Sequence, residues 1–433
     1  MHGHPYMKQL QPFVQPDGLL FPELSGKNPN TLQEETNVKK LVSLVMVVLM
    51  AMVCFAGCEG AETTEAGAAD TITIGMVGCY TGDYAVYGTA VKTGAELYFD
   101  EINAAGGINC KKINVIAYDN KGDMAETITA FNRIVDEGAV ALLGAVLTGN
   151  TIAVVGEAYP IGMPVVTASA TAAAVTYDPE SDTVFSNTFR TCFIDPFQGE
   201  KMAAYAIEKL GAKNACLIIE TGNDYAVGVA EAFAEKFIEL GGTILSQEGY
   251  ATGDKNFKAQ LTNIASQNPD VVFSPNYYQD DGMIISQGRE VGLACPFLGA
   301  DGFAGISDYA SAEDLEGCLY CSGYAPASTE GVKAFEAAYE AKFGEAVPNM
   351  FSPLAYDAAK LLCAAIAKAE ESDAEYGSDA YKQAIIAAIP EVGPEMEGVT
   401  SASGYSFDEF NNPIKDANIM ELVGGVETFK EMY

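Results

Sequence analysis

The 433-residue sequence has no tryptophan and only two histidines, His2 and His4. A catalytic or metal site that needs imidazole would therefore have to use the first four residues. Basic residues are also few, because the chain has 24 Lys and Arg against 59 Asp and Glu, a formal charge of −35. Such a negative field repels nucleic-acid phosphates, so we expect no nucleic-acid partner.

Long hydrophobic runs are scarce as well. The run LVSLVMVVLMAMV at 41–53 has 13 residues, fewer than the about 20 that a membrane-spanning helix needs. It follows two lysines and ends in small residues before Cys58, the pattern of a bacterial lipoprotein signal peptide. We therefore predict a signal peptide at 38–57, a lipid anchor on Cys58 and a flexible tether at 58–70, which would hold the protein outside the cytoplasm on the cell membrane. A short anchor helix or a buried core helix is the alternative interpretation, and 1–37 is expected to be a non-native upstream extension.

The remaining chain is rich enough in apolar residues, 49% overall, to bury a core, and its length suits two lobes. From Thr71 onward, short β-branched runs alternate with amphipathic helical stretches, which is typical of βαβ units with parallel sheets. The first series of predicted strands lies at 71–78, 113–119, 139–146 and 163–169. The second lies at 215–220, 243–249, 270–275 and 296–301. Beyond Leu319 the chain is helix-rich and is expected to complete these two lobes.

Four segments carry a resemblance to a known family: TIGMVGCYTGDYAVYG, GAELYFDEINAAGGINCKKINVIAYDN, GDKNFKAQLTNIASQNPDVVF and GREVGLACPFLGADG. Residues 71–425 resemble the type I periplasmic or extracellular solute-binding proteins, and more narrowly the leucine/isoleucine/valine-binding proteins of ABC importers. The resemblance implies an α/β fold of two doubly wound, flavodoxin-like lobes joined by three hinge crossovers. The implied lobes are 71–189 plus 322–398, and 190–321 plus 399–433.

Two hydroxyl-rich turns follow predicted strands, at 147–151 and 167–171. Open parallel sheets bind ligands beyond the carboxyl ends of their strands, where helix N-termini offer N–H groups to anions. The resemblance assigns the α-carboxylate of a bound amino acid to the Thr148 hydroxyl, the Ser169 main chain and Thr171, with Ala170 between them. The alternative interpretation is that these hydroxyls cap helices.

The resemblance also supplies an ammonium-binding side. Asp301 stands where relatives carry an acidic residue, often Glu, that pairs with the ligand ammonium, and Tyr277 stands where they carry a tyrosine beside that acid. An Asp before Gly is otherwise commonly a turn residue.

Further aromatic positions complete the predicted cleft. By resemblance, Tyr225 stacks over the ligand and Tyr87 forms part of the cleft wall, while Cys79 and Tyr80 shape the side-chain pocket. Half-buried packing is the ordinary alternative for such tyrosines.

The sequence gives little support for a catalytic function. With no histidine after His4, imidazole-based nucleophilic and metal sites are excluded from the exported chain. No P-loop or dinucleotide-binding glycine motif stands between a strand and a helix. The acids Asp280 and Asp281 are better explained as acidic surface than as a glycosidase pair. Cys318 and Cys321 lie on a predicted strand that points them to opposite faces, so we expect no metal, no cofactor and no enzymatic activity.

The sequence thus predicts a monomeric substrate-binding protein that closes on a free L-amino acid, most simply an aliphatic one. Its partners would be an ABC permease and ATPase. The alternative is a receptor that senses a short amide or an aromatic acid without transport, and the sequence does not separate the two.

Overall fold

The computed structural model describes residues 71–433, which form two large β-sheets and a small two-stranded one, with helices packed against the large sheets. The predicted upstream extension, signal peptide, Cys58 anchor and tether lie outside the described residues. Among residues 71–433, no helix has both the length and the apolar character that crossing a membrane requires.

The first sheet is parallel throughout its described pairings. Its strands are β1 (Thr71–Gly78), β2 (Lys112–Asp119), β3 (Ala141–Gly144), β4 (Val165–Thr167) and β7 (Thr188–Arg190), with the small hairpin β5 (Tyr177–Asp178) and β6 (Thr183–Val184) preceding β7. Helices α1 (Ala85–Ala104), α2 (Met124–Asp136) and α3 (Thr148–Ala158) alternate with the first four strands. The order β2-β1-β3-β4-β7 begins as the doubly wound, flavodoxin-like order does.

The second sheet repeats this order and then departs from it. Its strands are β8 (Asn214–Glu220), β9 (Thr243–Tyr250), β10 (Val271–Phe273), β11 (Phe297–Gly299), β12 (Leu319–Ser322), β13 (Asn418–Val423) and β14 (Val426–Met432). The order is β14-β13-β12-β11-β10-β8-β9. Strands β8 to β12 pair in parallel, whereas β13 and β14 add an antiparallel edge. The interleaved helices are α4 (Asp195–Glu208), α5 (Asp224–Glu239), α6 (Lys258–Gln267), α7 (Tyr278–Glu290) and α8 (Ala312–Leu315).

The closing third of the chain is divided between the two sheets. It contains α9 (Glu330–Phe343), α10 (Phe351–Ala369) and α11 (Asp379–Val392) before the β13–β14 hairpin. Helix α10 packs on α1 and reaches β3 and β4. A Cβ at Gly94 of α1 would lie 2.0 Å from the Ser352 carbonyl oxygen, so only glycine allows this close approach. The positions of the three crossovers stay a prediction.

One predicted strand end and one predicted helix start differ from the observed ones in a way that shapes the site. The predicted strand 139–146 ends already at Gly144, because Gly144 and Val146 adopt φ values of 141° and 82°. The predicted helix at 151–159 begins three residues earlier, at Thr148. Gly144 could carry no side chain, since a Cβ there would lie 2.4 Å from the Val77 carbonyl oxygen.

Candidate functional site

The candidate site lies where strands of both sheets end. Turns after the neighbouring strands β3 and β4 bring Thr148 and Ser169 to it. Turns after β8, β10 and β11, which are neighbours in the second sheet, bring Tyr225, Tyr277 and Asp301. Such carboxyl-end positions are where open α/β sheets bind ligands.

A small cavity with only about 20 Å³ of free volume lies between these turns. Its lining residues are Tyr87, Val146, Leu147, Thr148, Ser169, Tyr225, Tyr277, Asp301, Gly302 and Phe351. This is about the space that one water molecule needs, far below the roughly 300 to 1,000 Å³ of drug-sized ligand pockets. The walls of the cavity must therefore move apart to admit a ligand the size of an amino acid.

The first-sheet side of the cavity carries hydroxyls and a helix N-terminus. The Thr148 hydroxyl accepts a hydrogen bond from the Thr171 backbone N–H at 3.3 Å, and the Ser169 hydroxyl donates to the Val146 carbonyl at 2.8 Å. Leu147, which precedes α3, provides no capping side chain. The first-turn N–H groups of α3 are thus of the kind that binds anions, and these hydroxyls join turn to turn instead of capping a helix.

A fully buried arginine stabilises the turn on the first-sheet side of the cavity. Arg190 donates to the Ala170 carbonyl at 2.8 Å and to the Ala172 carbonyl at 3.0 Å. Ala170 and Thr171 are buried and do not line the cavity themselves. Val146, a β-branched residue in the left-handed region, carries strain of order 1–3 kcal/mol. The bonds from Ser169 and Arg190 hold the two turns in position.

The second-sheet side carries a buried acid. Asp301 is 3% exposed, and its backbone N–H donates to the Gln198 side-chain oxygen at 2.8 Å. Burial raises the pKa of the Asp301 carboxyl to about 7, and the nearby Tyr225 hydroxyl and Gln198 side chain partly offset the rise. The carboxylate is therefore poorly solvated and is stabilised by any cation that reaches the cavity.

Aromatic rings form the remaining wall. Tyr225 and Tyr277 stack with ring centroids 5.3 Å apart and an interplanar angle of 7°. Tyr87 meets Tyr277 at 5.6 Å and Phe351 at 5.0 Å, both edge to face. The Gly302 N–H donates to the Tyr225 hydroxyl at 2.8 Å. The ring faces of this wall are thus apolar, and the Tyr87 and Tyr225 hydroxyls are hydrogen-bonded within the protein.

Hydrogen bonds also join the two sides across the cavity. Tyr87 of α1 donates to the Gly302 carbonyl at 2.5 Å and accepts from the Tyr278 N–H at 3.1 Å. The Asp83 carbonyl accepts from the Tyr278 hydroxyl at 2.5 Å and from the Gln279 side chain at 2.7 Å. These bonds describe a closed arrangement of the two sides.

Cys79 and Tyr80, predicted to shape the side-chain pocket, are not among the residues that line the cavity. The Cys79 thiol is buried and donates to the Tyr84 carbonyl at 3.2 Å. The Tyr80 backbone N–H is bound to Asp119 at 2.9 Å. The loop after β1 thus turns its own side chains inward, and Val146, Leu147 and Phe351 take the place expected of Cys79 and Tyr80.

The sequence interpretation missed four lining residues: Val146, Leu147, Gly302 and Phe351. The first three adjoin Thr148 or Asp301, so their proximity was available from the sequence. Phe351 begins α10, far along the chain, and no local pattern marks it. Within the described part of the chain, no group of three or more His, Cys, Asp or Glu side chains could hold a metal ion.

Cys318 and Cys321 pack in different apolar clusters on the two sides of the second sheet. In residues 71–433, seven cysteines have free thiols: Cys79, Cys192, Cys216, Cys295, Cys318, Cys321 and Cys363. The two members of the C-x-x-C sequence are therefore separate core residues.

Two flavodoxin-like halves around a small cavity with hydroxyls on one side and an acid on the other define the type I class of solute-binding proteins. A family model described as periplasmic binding protein matches residues 71–426, and the chain belongs to that family, within its branched-chain amino acid group. The predicted family and fold class are thereby confirmed.

Three relatives show how far the similarity extends. The chain is 30% identical over 326 residues to Leu/Ile/Val-binding protein homolog 3 of Brucella melitensis, which covers 75% of this chain and 86% of that protein. It is 34% identical, with a TM-score of 0.75, to the branched-chain amino acid transporter substrate binding protein LivJ of Streptococcus pneumoniae, solved in complex with isoleucine; the match covers 84% of this chain and 99% of that chain. The leucine binding protein LivK of Thermotoga maritima is 28% identical with a TM-score of 0.75, covering 84% and 98%.

Proposed function

We propose that this protein binds a free L-amino acid, with branched-chain amino acids preferred, and delivers it to an ABC importer. The observation that carries the proposal is the arrangement of Thr148 and Ser169 opposite Asp301 across one small cavity. Hydroxyls and helix N-terminal N–H groups suit the α-carboxylate. A buried carboxylate suits the α-ammonium, and the two together recognise an amino acid.

The side-chain preference is argued from the wall of the cavity. Val146, Leu147, Tyr87 and Phe351 offer mainly apolar surface, on which a branched aliphatic side chain gains roughly 25 cal/mol per Å² of buried area. The names of the relatives, which refer to leucine, isoleucine and valine, support the same preference.

The partners and location belong to the same proposal. The protein acts outside the cytoplasm as a monomer and passes its ligand, chemically unchanged, to a permease driven by an ATPase. Family membership supports the extracytoplasmic location. The lipid anchor at Cys58 rests on the sequence pattern alone, and the intact mass of the exported protein tests it: a diacylated N-terminal Cys58 is expected, and retention of earlier residues would contradict it.

A thermal-shift screen against the twenty amino acids, benzoate and short amides tests the ligand class. Ligand at about 100 times its Kd stabilises the folded state by about 2.7 kcal/mol, which gives a measurable rise in Tm. We expect the largest rise with leucine, isoleucine or valine. A rise with benzoate or an amide alone would instead favour the sensing receptor, and no rise with any amino acid would reject the proposal.

Asp301→Ala tests the ammonium contact. A hydrogen bond to a charged group contributes about 1.5 to 3 kcal/mol, so calorimetry should show at least a tenfold increase in Kd. Asp308→Ala is the matched control, because Asp308 is an exposed acid seven residues away in the next short helix. Unchanged binding by Asp301→Ala would contradict the assigned role. Amino-acid uptake by cells with and without the protein then separates transport from sensing.

A further inference from the structure

The first turn of helix α4 contacts both halves of the candidate site. The Asp195 backbone N–H donates to the Thr171 carbonyl at 3.0 Å, on the first-sheet side. One turn later on the same helix, the Gln198 side-chain oxygen accepts from the Asp301 N–H at 2.8 Å, on the second-sheet side. Helix α4 thus places the Asp195 and Gln198 side chains between the two segments that carry the site.

Several polar atoms at this junction lack a hydrogen-bond partner. Asp195 is 1% exposed and Gln198 is fully buried. Among the described residues, neither Asp195 carboxylate oxygen, nor the Gln198 amide nitrogen, nor the Thr171 hydroxyl has a partner at ordinary hydrogen-bond distance. Unsatisfied buried polar groups are rare and costly, and they concentrate where a protein binds something. Both acceptors and donors are therefore free beside Asp301.

The surroundings of the Asp195 carboxyl favour its protonated form. Burial raises its pKa well above the ordinary range and Asp301 raises it further, while the Thr171 hydroxyl and Arg190 partly offset the rise. The ionisable groups that face the two acids are Arg190, Asp224, Tyr225, Tyr277, Tyr87, Cys192, Tyr320 and Cys321. Of these groups, Arg190 alone is cationic, and it also donates hydrogen bonds to the Ala170 and Ala172 carbonyls.

We propose that Asp195 is a second ligand-positioning carboxylate, which together with Asp301 binds a proton in the ligand-free protein and exchanges it for the ligand ammonium. This inference rests on the proposed function. On binding, the carboxyl O–H bond breaks and the proton passes to solvent. The resulting carboxylate accepts a hydrogen bond from the ammonium, which keeps all of its protons. Ligand affinity is thereby linked to pH.

Calorimetry with L-isoleucine and L-leucine between pH 6 and pH 8.5 tests this linkage. Because protons compete with the ammonium, wild-type Kd should increase by about tenfold per pH unit below pH 7 for each proton displaced. Titrations in two buffers of different ionisation enthalpy should count about one proton released per ligand at pH 7.

Asp195→Asn keeps the size of the side chain and removes its charge. We expect its Kd at pH 8 to be about tenfold or more above the wild-type value. Its pH profile should be shallower and its proton release smaller. The ligand-free variant should have a Tm equal to or above the wild-type value, because it no longer buries an unpartnered acid. Asp379→Asn is the matched control, since Asp379 is the exposed first residue of helix α11, is not among the groups that face the two acids, and should leave Kd and proton release unchanged.

Each remaining outcome contradicts the inference. Wild-type Kd that is constant from pH 6 to 8 without proton release would overturn it, as would Asp195→Asn with a wild-type Kd. An Asp195→Asn variant with a lower Tm but the wild-type pH dependence of Kd would show that Asp195 has a purely structural role. If wild-type protein binds neither amino acid, the proposed function fails instead, so the two failures are distinguishable.

Discussion

Asp357 and Asp195 are both buried carboxylates at places where the two halves of the protein meet, yet their partners differ. Asp357 of α10 accepts hydrogen bonds from the Val399 N–H at 2.7 Å, the Thr400 N–H at 2.8 Å and the Tyr405 hydroxyl at 2.7 Å. Asp195 has no such partners. A satisfied buried acid supports the structure, whereas an unsatisfied one costs free energy that the fold tolerates at a binding site.

A cation completes the Asp357 network. The Lys415 ammonium donates to the Thr191 carbonyl at 2.9 Å and the Thr400 hydroxyl at 2.8 Å. Burial lowers the pKa of Lys415 to about 8, and the nearby Asp357 partly offsets the fall. Because Thr191 and Thr400 adjoin two predicted crossovers, this network fixes the chain where it passes between the halves.

Asp357→Ala should have the largest effect on stability. It leaves the Lys415 ammonium without its counter-charge and removes the acceptor for the Val399 and Thr400 N–H groups. Leaving a buried charge uncompensated in this way costs about 3 to 5 kcal/mol, measurable as a shift in the urea midpoint. A loss under about 1 kcal/mol would contradict the structural role that the contrast with Asp195 assigns to Asp357.

Asp301→Asn should change the pH dependence of stability. The folded-state pKa of about 7 exceeds the ordinary aspartate pKa of 3.8, so the folded protein binds this proton more tightly than the unfolded chain does. The contribution of Asp301 to the ligand-free stability is therefore lost as the pH rises from about 4 to 7, by at most about 1.4 kcal/mol per pH unit. The free energy of unfolding of the variant should therefore rise relative to that of wild type across this pH range, and the difference should become constant above it. Urea midpoints at pH 4.5, 5.5, 6.5 and 7.5 test this, and a pH-independent difference would contradict it.

The exposed ion pair between Lys258 and Glu290 provides the control with the smallest effect. Their side chains are 55% and 59% exposed and 2.7 Å apart. Glu290→Gln should change the free energy of unfolding by no more than about 1 kcal/mol, because solvent screens such pairs. A larger loss would mean that charge removal as such, and not burial, explains the Asp357→Ala result.

Much of the fold was predictable because it depends on local periodicity. Alternating apolar runs and amphipathic stretches located the strands of both halves to within a few residues, and the order of segments carried the family resemblance. The differences fall at turns: β3 ends early and α3 begins early because Gly144 and Val146 adopt positive φ values. Such backbone turns depend on contacts with Val77 and Ser169 that a linear pattern does not contain.

The sequence by itself determined which residue types stand at the strand ends, and therefore that Thr148 and Ser169 lie at the carboxyl ends of strands in one half and Asp301 at that of a strand in the other. Only the tertiary structure decided which side chains face the cavity. It leaves Cys79 and Tyr80 outside the cavity lining, brings in Phe351 from α10, and buries Asp195 close enough to Asp301 for their charges to interact. The physical reason is that periodicity fixes the face of an element, whereas the direction of a loop side chain and the partners of a buried charge follow from packing between distant segments.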